Sequence, residues 1–261
     1  MFGAPNETAY DLRFRVLQIP VRVHPLFWLI SLMLSGQWNA RGGEDLVPAA
    51  VWVACVFVSI LVHELGHGLS SRLLGHEPSG IVLYSMGGYC LVPLDQQRPW
   101  QRIVVLLCGP GAGFLLLALV LGLAGVAYHV NPVDAVAGIG IGPGDWFAAR
   151  MQLPQSPSVV RAFVDLIWIN FAWGLVNLLP IWPLDGGRIA EVVLGLFNRA
   201  AASRWAHVVG LLTAGLLAIW RASQEDYFMA VWFGLFGLIN YRMLQSHYDT
   251  FRAGDGEWWR S

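Results

Sequence analysis

Long apolar runs separated by short polar segments dominate this chain of 261 residues. A run of about 18 apolar residues can cross the roughly 30 Å hydrocarbon core of a bilayer as a helix. On this criterion the sequence predicts about six transmembrane helices, the first of them short. They cover residues 24–36, 47–74, 103–130, 159–179, 205–220 and 227–244. The pattern therefore predicts an all-α polytopic membrane protein.

Shorter runs of β-prone residues lie between the predicted spans. Residues 81–92 hold two such runs around Gly87-Gly88, which predicts a small membrane-associated β-hairpin. Residues 14–23 predict a further strand before the first span. Residues 186–198 predict a short helix near the membrane surface.

Composition supports the membrane assignment. Hydrophobic residues make up 56% of the chain and charged residues only 13%, whereas soluble domains carry about 25% charged residues. The net charge of -1 argues against a nucleic-acid partner. The Gly- and Pro-rich residues 131–158 predict an irregular exposed loop. Since no segment is long enough for a separate soluble domain, we expect one integral membrane domain over residues 1–261.

The distribution of arginine predicts the orientation of the chain. With the N-terminus in the cytoplasm, twelve of the sixteen basic residues fall on the cytoplasmic side and four on the other. Cytoplasmic loops of membrane proteins carry an excess of basic residues. We therefore expect both termini in the cytoplasm, with the second span running inward and ending near Leu74.

The segment His63-Glu64-Leu65-Gly66-His67 lies within the second span. Residues four apart share one face of a helix, so the two imidazoles lie one turn apart with Glu64 beside them. This arrangement holds a zinc ion and activates a water. Ionisable residues in a span cost several kcal/mol and mark function. The segment therefore predicts a site for one Zn²⁺ per chain.

A catalytic zinc site typically takes three protein ligands, and the third must come from another segment. The fourth span also ends on the cytoplasmic side, where residues 177–188 follow it. Two prolines in this segment end the helix, and Gly186 and Gly187 allow a sharp turn. Because this topology brings Asp185 to the leaflet that holds the two histidines, Asp185 is the best candidate.

Three segments together resemble the site-2 protease family of intramembrane zinc metalloproteases: His-Glu-Leu-Gly-His in a span, Asn-x-x-Pro-x-x-Pro-Leu-Asp-Gly from Asn177, and Gly109-Pro110-Gly111-Ala112-Gly113 between them. The resemblance covers about residues 21–188. It implies the following site residues: His63, His67 and Asp185 as zinc ligands, Glu64 as catalytic acid/base, and Asn177 in a substrate-contacting or oxyanion role.

The resemblance also implies an intramembrane zinc endopeptidase that cuts membrane-anchored proteins or peptides within the lipid bilayer of a bacterial or archaeal cell. The chain resembles the compact branch without PDZ or CBS domains, with a catalytic core over about residues 47–198. The Gly87-Gly88 hairpin looks like the family's membrane-associated β region. We expect it to bind an extended substrate segment as an added strand.

Two other functions stay open. A CaaX-type membrane metalloprotease also carries His-Glu-x-x-His in a span, but it draws its third ligand from a downstream glutamate. Here Glu191 is only remotely placed for that role and lacks the companion pattern. A non-catalytic metal-binding membrane protein is expected to lack the glutamate between the histidines, whereas Glu64 is present. The sequence does not name the substrate or the oligomeric state.

Overall fold

The computed structural model describes residues 5–35, 43–85, 87–129, 131 and 156–255. Most of the loop predicted over residues 131–158 lies outside these ranges. The described elements are β1 (Leu12–Val16), β2 (Ile19–Val23), α1 (Pro25–Leu34), α2 (Gly43–Leu73), β3 (Gly80–Tyr84), β4 (Gly87–Leu91), a 3-10 turn (Leu94–Gln96), α3 (Pro99–Tyr128), α4 (Pro157–Asn177), α5 (Asp185–Phe197), α6 (Ala202–Ser223) and α7 (Tyr227–Asp255).

Five helices of the described residues are long and apolar enough to cross a membrane: Leu46–Leu73, Pro99–Tyr128, Pro157–Asn177, Ala202–Ser223 and Tyr227–Ser246. They match the second to sixth predicted spans within a few residues. The first predicted span is a helix of only 10 residues, α1. At 1.5 Å per residue it is about 15 Å long, too short to cross the bilayer by itself. The chain is thus a mostly helical, multi-pass integral membrane protein.

The chain divides into two compact units. The first contains Met1–Gln97 and Leu107–Leu175, and the second contains Arg98–Leu106 and Val176–Ser261. The first unit holds the His-Glu-Leu-Gly-His segment, and the second holds the segment around Asp185.

A four-stranded sheet in the order β1-β2-β3-β4 lies in the first unit. The predicted hairpin is present as β3 and β4, which pair antiparallel. The strand predicted over residues 14–23 is itself a hairpin, β1 and β2. Its turn places Leu17 and Gln18 at φ 48° and 67°, a conformation for which Asn and Gly are the usual residues. The sequence therefore carried no signal for this turn.

The inner face of the sheet packs on α2. Alternate residues of β2, Ile19, Val21 and Val23, are buried together with Ile81 and Leu83 of β3, as expected for strands with one face on the core. β2 and β3 run parallel, with α1 and α2 between them in sequence. The helix that carries the histidines is therefore fixed against β3 and β4.

In the second unit, α6 packs along α7, and α5 packs on α6. A buried apolar cluster joins the segment before α5 to these two helices. Its buried members are Ile181, Leu184, Ala214, Phe233 and Phe236. The segment of residues 178–184, called the ligand loop below, is thus held by the core of this unit.

Candidate metal centre

His63 and His67 lie on one face of α2, and both are buried. Their Nε2 atoms are 3.1 Å apart, and their rings meet edge to face. Two nitrogens bound to one tetrahedral zinc ion at 2.0–2.1 Å would be about 3.3 Å apart. The observed spacing therefore fits two ligands that converge on one metal ion.

Glu64 is buried beside the histidines, with 5% of its surface exposed. The backbone of β4 lies directly against it, because a Cβ atom added at Gly88 would lie 2.6 Å from the Glu64 Cδ atom and closer still to Cγ and Oε1. Only glycine leaves room for the carboxylate at this position. The sequence predicted a hairpin around Gly88 but not its contact with Glu64.

Two further glycines allow α2 and α3 to approach each other. A Cβ atom at Gly66 would lie 2.8 Å from the Ala112 Cβ atom, and one at Gly109 would overlap the imidazole of His67. Small residues let membrane helices pack with their backbones close together. The backbone of α3 thus lies directly against the ring of His67.

Cys90 is a buried thiol on β4 in the same region. Burial raises the pKa of this thiol, and the negative charge of Glu64 raises it further. The thiol is therefore protonated at neutral pH.

Asp185 is the first residue of α5 and is buried. A Cβ atom at Gly186 would overlap the carbonyl oxygens of Leu178 and Leu179, and one at Gly187 would lie 2.6 Å from the Ile181 oxygen. The sharp turn predicted at the two glycines is wrong. Both lie in the first turn of the helix, and glycine is needed because the preceding loop folds back against that turn.

Among the described residues, His63, His67 and Asp185 form a group that could hold a metal ion. All three are buried; the histidines belong to the first unit and Asp185 to the second. Two imidazole nitrogens and one carboxylate oxygen are a donor set of catalytic zinc sites, which leave a further position for water. The residues present therefore fit a zinc ion.

The remaining predicted site residues are Asn177, Gly87 and Gly88, and they lie on a helix and a strand. Asn177 is the last residue of α4 and is buried. Gly87 has φ +116°, which side-chain-bearing residues rarely adopt, and pairs with Tyr84 at the end of the β3–β4 hairpin. Gly88 pairs with Leu83 inside the hairpin. The catalytic role of Asn177 and the substrate-binding roles of the two glycines stay predictions.

A buried polar cluster around Asn240 was not foreseen from the sequence. Asn240 on α7 and His207 on α6 lie beside the ligand loop and are fully or almost fully buried. Polar side chains are rare in membrane spans and usually serve a purpose there. The position of Asn240 within an apolar run was the signal that could have drawn attention to it.

Comparisons with known proteins place these features in a family. The family model of Peptidase family M50 matches residues 51–219. A protein of Synechocystis sp. named as a candidate zinc metalloprotease is 29% identical over 231 residues, which cover 85% of this chain and 51% of the relative. A zinc metalloprotease of Methanocaldococcus jannaschii is 25% identical over 186 residues, covering 71% of this chain and 46% of the relative.

The fold is also that of a solved structure, the site-2 protease from Methanocaldococcus jannaschii. The two share a TM-score of 0.54 and 19% sequence identity, over 90% of this chain and 95% of that one. The chain spans about half the length of the curated relatives that it matches. The family match covers well over half of the chain and includes His63, Glu64, His67 and Asp185; the chain belongs to Peptidase family M50.

Proposed function

We propose that this chain is an intramembrane zinc metalloendopeptidase that hydrolyses peptide bonds in or near the transmembrane segments of membrane-anchored substrates. The observation that carries the proposal is the buried His-His-Asp group, two members of which lie on a helix apolar enough to cross a membrane. Membership of Peptidase family M50 and relatives named as zinc metalloproteases support it.

In this proposal His63, His67 and Asp185 hold one zinc ion. When bound, zinc supplies Lewis acidity that polarises the substrate carbonyl and lowers the pKa of a bound water to about 7. The protein contributes the three ligands, each of them buried. These are the conditions under which charge-stabilising groups act most strongly.

Glu64 acts as the general base and then as the general acid. Its carboxylate takes a proton from the attacking water and passes it to the leaving nitrogen of the peptide. The side chain is suited to this role because it is buried next to the histidines, with the backbone at Gly88 against it. Asn177 would donate a hydrogen bond from its amide to the oxyanion that forms on the substrate.

A substrate helix must unwind before it can be cut, because its carbonyls are engaged in hydrogen bonds within the helix. β4 is the last strand of the described sheet, so an extended segment can pair with it as an added strand. Gly87 and Gly88 would then contact the substrate. The Gly88 backbone would bring that strand next to Glu64.

We also propose that both termini are cytoplasmic, as the arginine distribution predicts. The pairing of β2 with β3 in one sheet supports an even number of membrane crossings between them; the side of the membrane is inferred from the arginines alone. If the sheet lies on one side of the membrane, the chain leaves β2 and reaches β3 on that same side. The cellular source, bacterial or archaeal, is part of the same proposal.

The His-His-Asp group favours this proposal over the two alternatives. A CaaX-type site would need a glutamate as the third ligand, but the carboxylate in the group is Asp185 and not Glu191. A non-catalytic metal site has no need for a general base, whereas Glu64 is buried beside both histidines.

The test is the variant Glu64→Gln in the full chain, purified in detergent. We expect it to retain about one zinc per chain by elemental analysis and to lose cleavage of a tagged single-span reporter. Glu77→Gln is the matched control, because Glu77 is exposed and pairs with Arg72 on the surface. Full activity of Glu64→Gln would contradict the acid/base role. Comparing membrane proteomes of wild type and Glu64→Gln cells would identify substrates that accumulate uncut.

A further inference from the structure

A buried polar cluster lies where α6 and α7 meet the ligand loop. We call it the Asn240 cluster; it comprises Trp182, His207, Gly210 and Asn240. Asn240 has no exposed surface, and His207 has 2%. All four residues belong to the second unit.

The amide of Asn240 joins α7 to the ligand loop. Its Nδ2 atom donates one hydrogen bond to the Trp182 carbonyl and one to the Phe236 carbonyl, each at 2.8 Å. The bond to Phe236 lies within α7 and fixes the amide orientation. The bond to Trp182 leaves the helix and holds a backbone carbonyl of the loop three residues before Asp185.

His207 completes the cluster from α6. Because both Nδ2 protons of Asn240 point to carbonyls, its Oδ1 atom must accept, and His207 Nδ1 at 3.1 Å must donate. The imidazole also meets the Trp182 ring edge to face, with centroids 5.8 Å apart. Gly210 leaves space for this bond, since a Cβ atom there would lie 2.5 Å from Asn240 Oδ1.

The ligand loop transmits this restraint to Asp185. Leu184 N–H bonds the Ile181 carbonyl at 2.9 Å, which closes a turn around Trp182. Gly187, in the first turn of α5, lies against the backbone of Ile181 and Trp182. The Trp182 carbonyl cannot shift without moving the first turn of α5.

We propose that Asn240 and His207 are positioning residues that fix the metal-ligating carboxylate of Asp185 through the Trp182 carbonyl. This inference rests on the proposed function, in which Asp185 is the third zinc ligand. A cluster that only joined α6 to α7 would need no bond to the loop. Groups that orient metal ligands typically change metal affinity about 10- to 100-fold when removed.

The experiment compares zinc affinity of full-length variants in detergent micelles by chelator competition. Asn240→Leu removes every hydrogen bond of the amide. His207→Phe keeps a ring against Trp182 but removes the donor, whereas His207→Asn keeps an N–H donor and removes the ring. Trp52→Phe is the control. It also removes a side-chain N–H bond to a backbone carbonyl, that of Ser31, but both residues belong to the first unit.

We expect Asn240→Leu and His207→Phe to bind zinc at least about tenfold more weakly, with His207→Asn within about threefold of wild type. Cobalt in place of zinc should show an altered visible absorption spectrum in the two weakened variants only. Trp52→Phe should match wild type in both readouts. His207→Phe, compared with His207→Asn, keeps the test available should Asn240→Leu fail to fold.

Wild-type zinc affinity in both Asn240→Leu and His207→Phe would overturn the inference. Equal weakening in His207→Phe and His207→Asn, or in Trp52→Phe, would also overturn it, because the donor would then not be the cause. Metal affinity separates this inference from the proposed function. If the wild-type protein cut no membrane substrate but the variants bound zinc more weakly, the proposed protease function would be refuted and the positioning role supported.

Discussion

Replacing Gly88 by alanine tests whether β4 sets the position of Glu64, the proposed catalytic base. The added methyl group would lie 2.6 Å from the Glu64 Cδ atom, whereas carbon atoms normally stay about 3.5 Å apart. Glu64 or β4 must therefore shift by about 1 Å. A displacement of that size at a reacting group costs about 100-fold in rate, equivalent to about 2.7 kcal/mol of transition-state stabilisation.

The assay is cleavage of a tagged single-span reporter in detergent, with zinc content measured on the same samples. We expect kcat to fall about 100-fold in Gly88→Ala. The zinc content should stay unchanged, because the added methyl group would meet Glu64, the proposed base, and not a proposed zinc ligand. Gly122→Ala is the control, since a Cβ atom at Gly122 on α3 meets no heavy atom of the described residues within 4 Å.

A double variant separates a clash from other effects of the methyl group. Glu64→Asp shortens the base by one methylene and should lower kcat by itself. Combined with Gly88→Ala, it should cost less than the sum of the two single effects, because the shorter side chain relieves the overlap. Wild-type kcat in Gly88→Ala, or full additivity in the double variant, would refute the idea that the strand positions Glu64.

Three further outcomes follow from the site and the orientation. Asp185→Ala should lower the zinc content below one per chain by elemental analysis, and an unchanged content would count against ligation. Gly109→Ala should weaken zinc binding by about 10- to 100-fold, because its methyl group would overlap the ring of His67; chelator competition measures this, and wild-type affinity would contradict it. Reporter fusions within residues 131–158 should report an extracytoplasmic location, and a cytoplasmic signal would overturn the proposed orientation.

The features that the sequence predicted are those with local signals. Apolar runs placed five of the spans within a few residues, because a helix in lipid must be apolar over about 20 residues. The His63 and His67 spacing follows from helical geometry alone. Asp185 was predicted as the third ligand from the arginine distribution and from the prolines before it. These features predict a side of the membrane but no distance to the histidines.

The features that the sequence missed depend on contacts between distant residues. The β1–β2 hairpin was not seen because Leu17 and Gln18 form its turn without Gly, Asn or Asp. The need for glycine at position 88 arises from Glu64 on another element. Likewise, Asn240 stood out as polar in an apolar run, but its bond to the Trp182 carbonyl depends on how α7 packs.

The parallel pairing of β2 with β3 sets an order of events during synthesis. β2 is made before α1 and α2, yet its partner strand emerges only after α2 is complete. About 120 further residues separate His67 from the third proposed ligand, Asp185. At 5–20 residues per second, the ribosome needs roughly 6–24 s to make them. In the proposed mechanism, the nascent chain would therefore carry Glu64, His63 and His67 for that time before Asp185 is made, and the zinc site could be completed only after translation is well advanced.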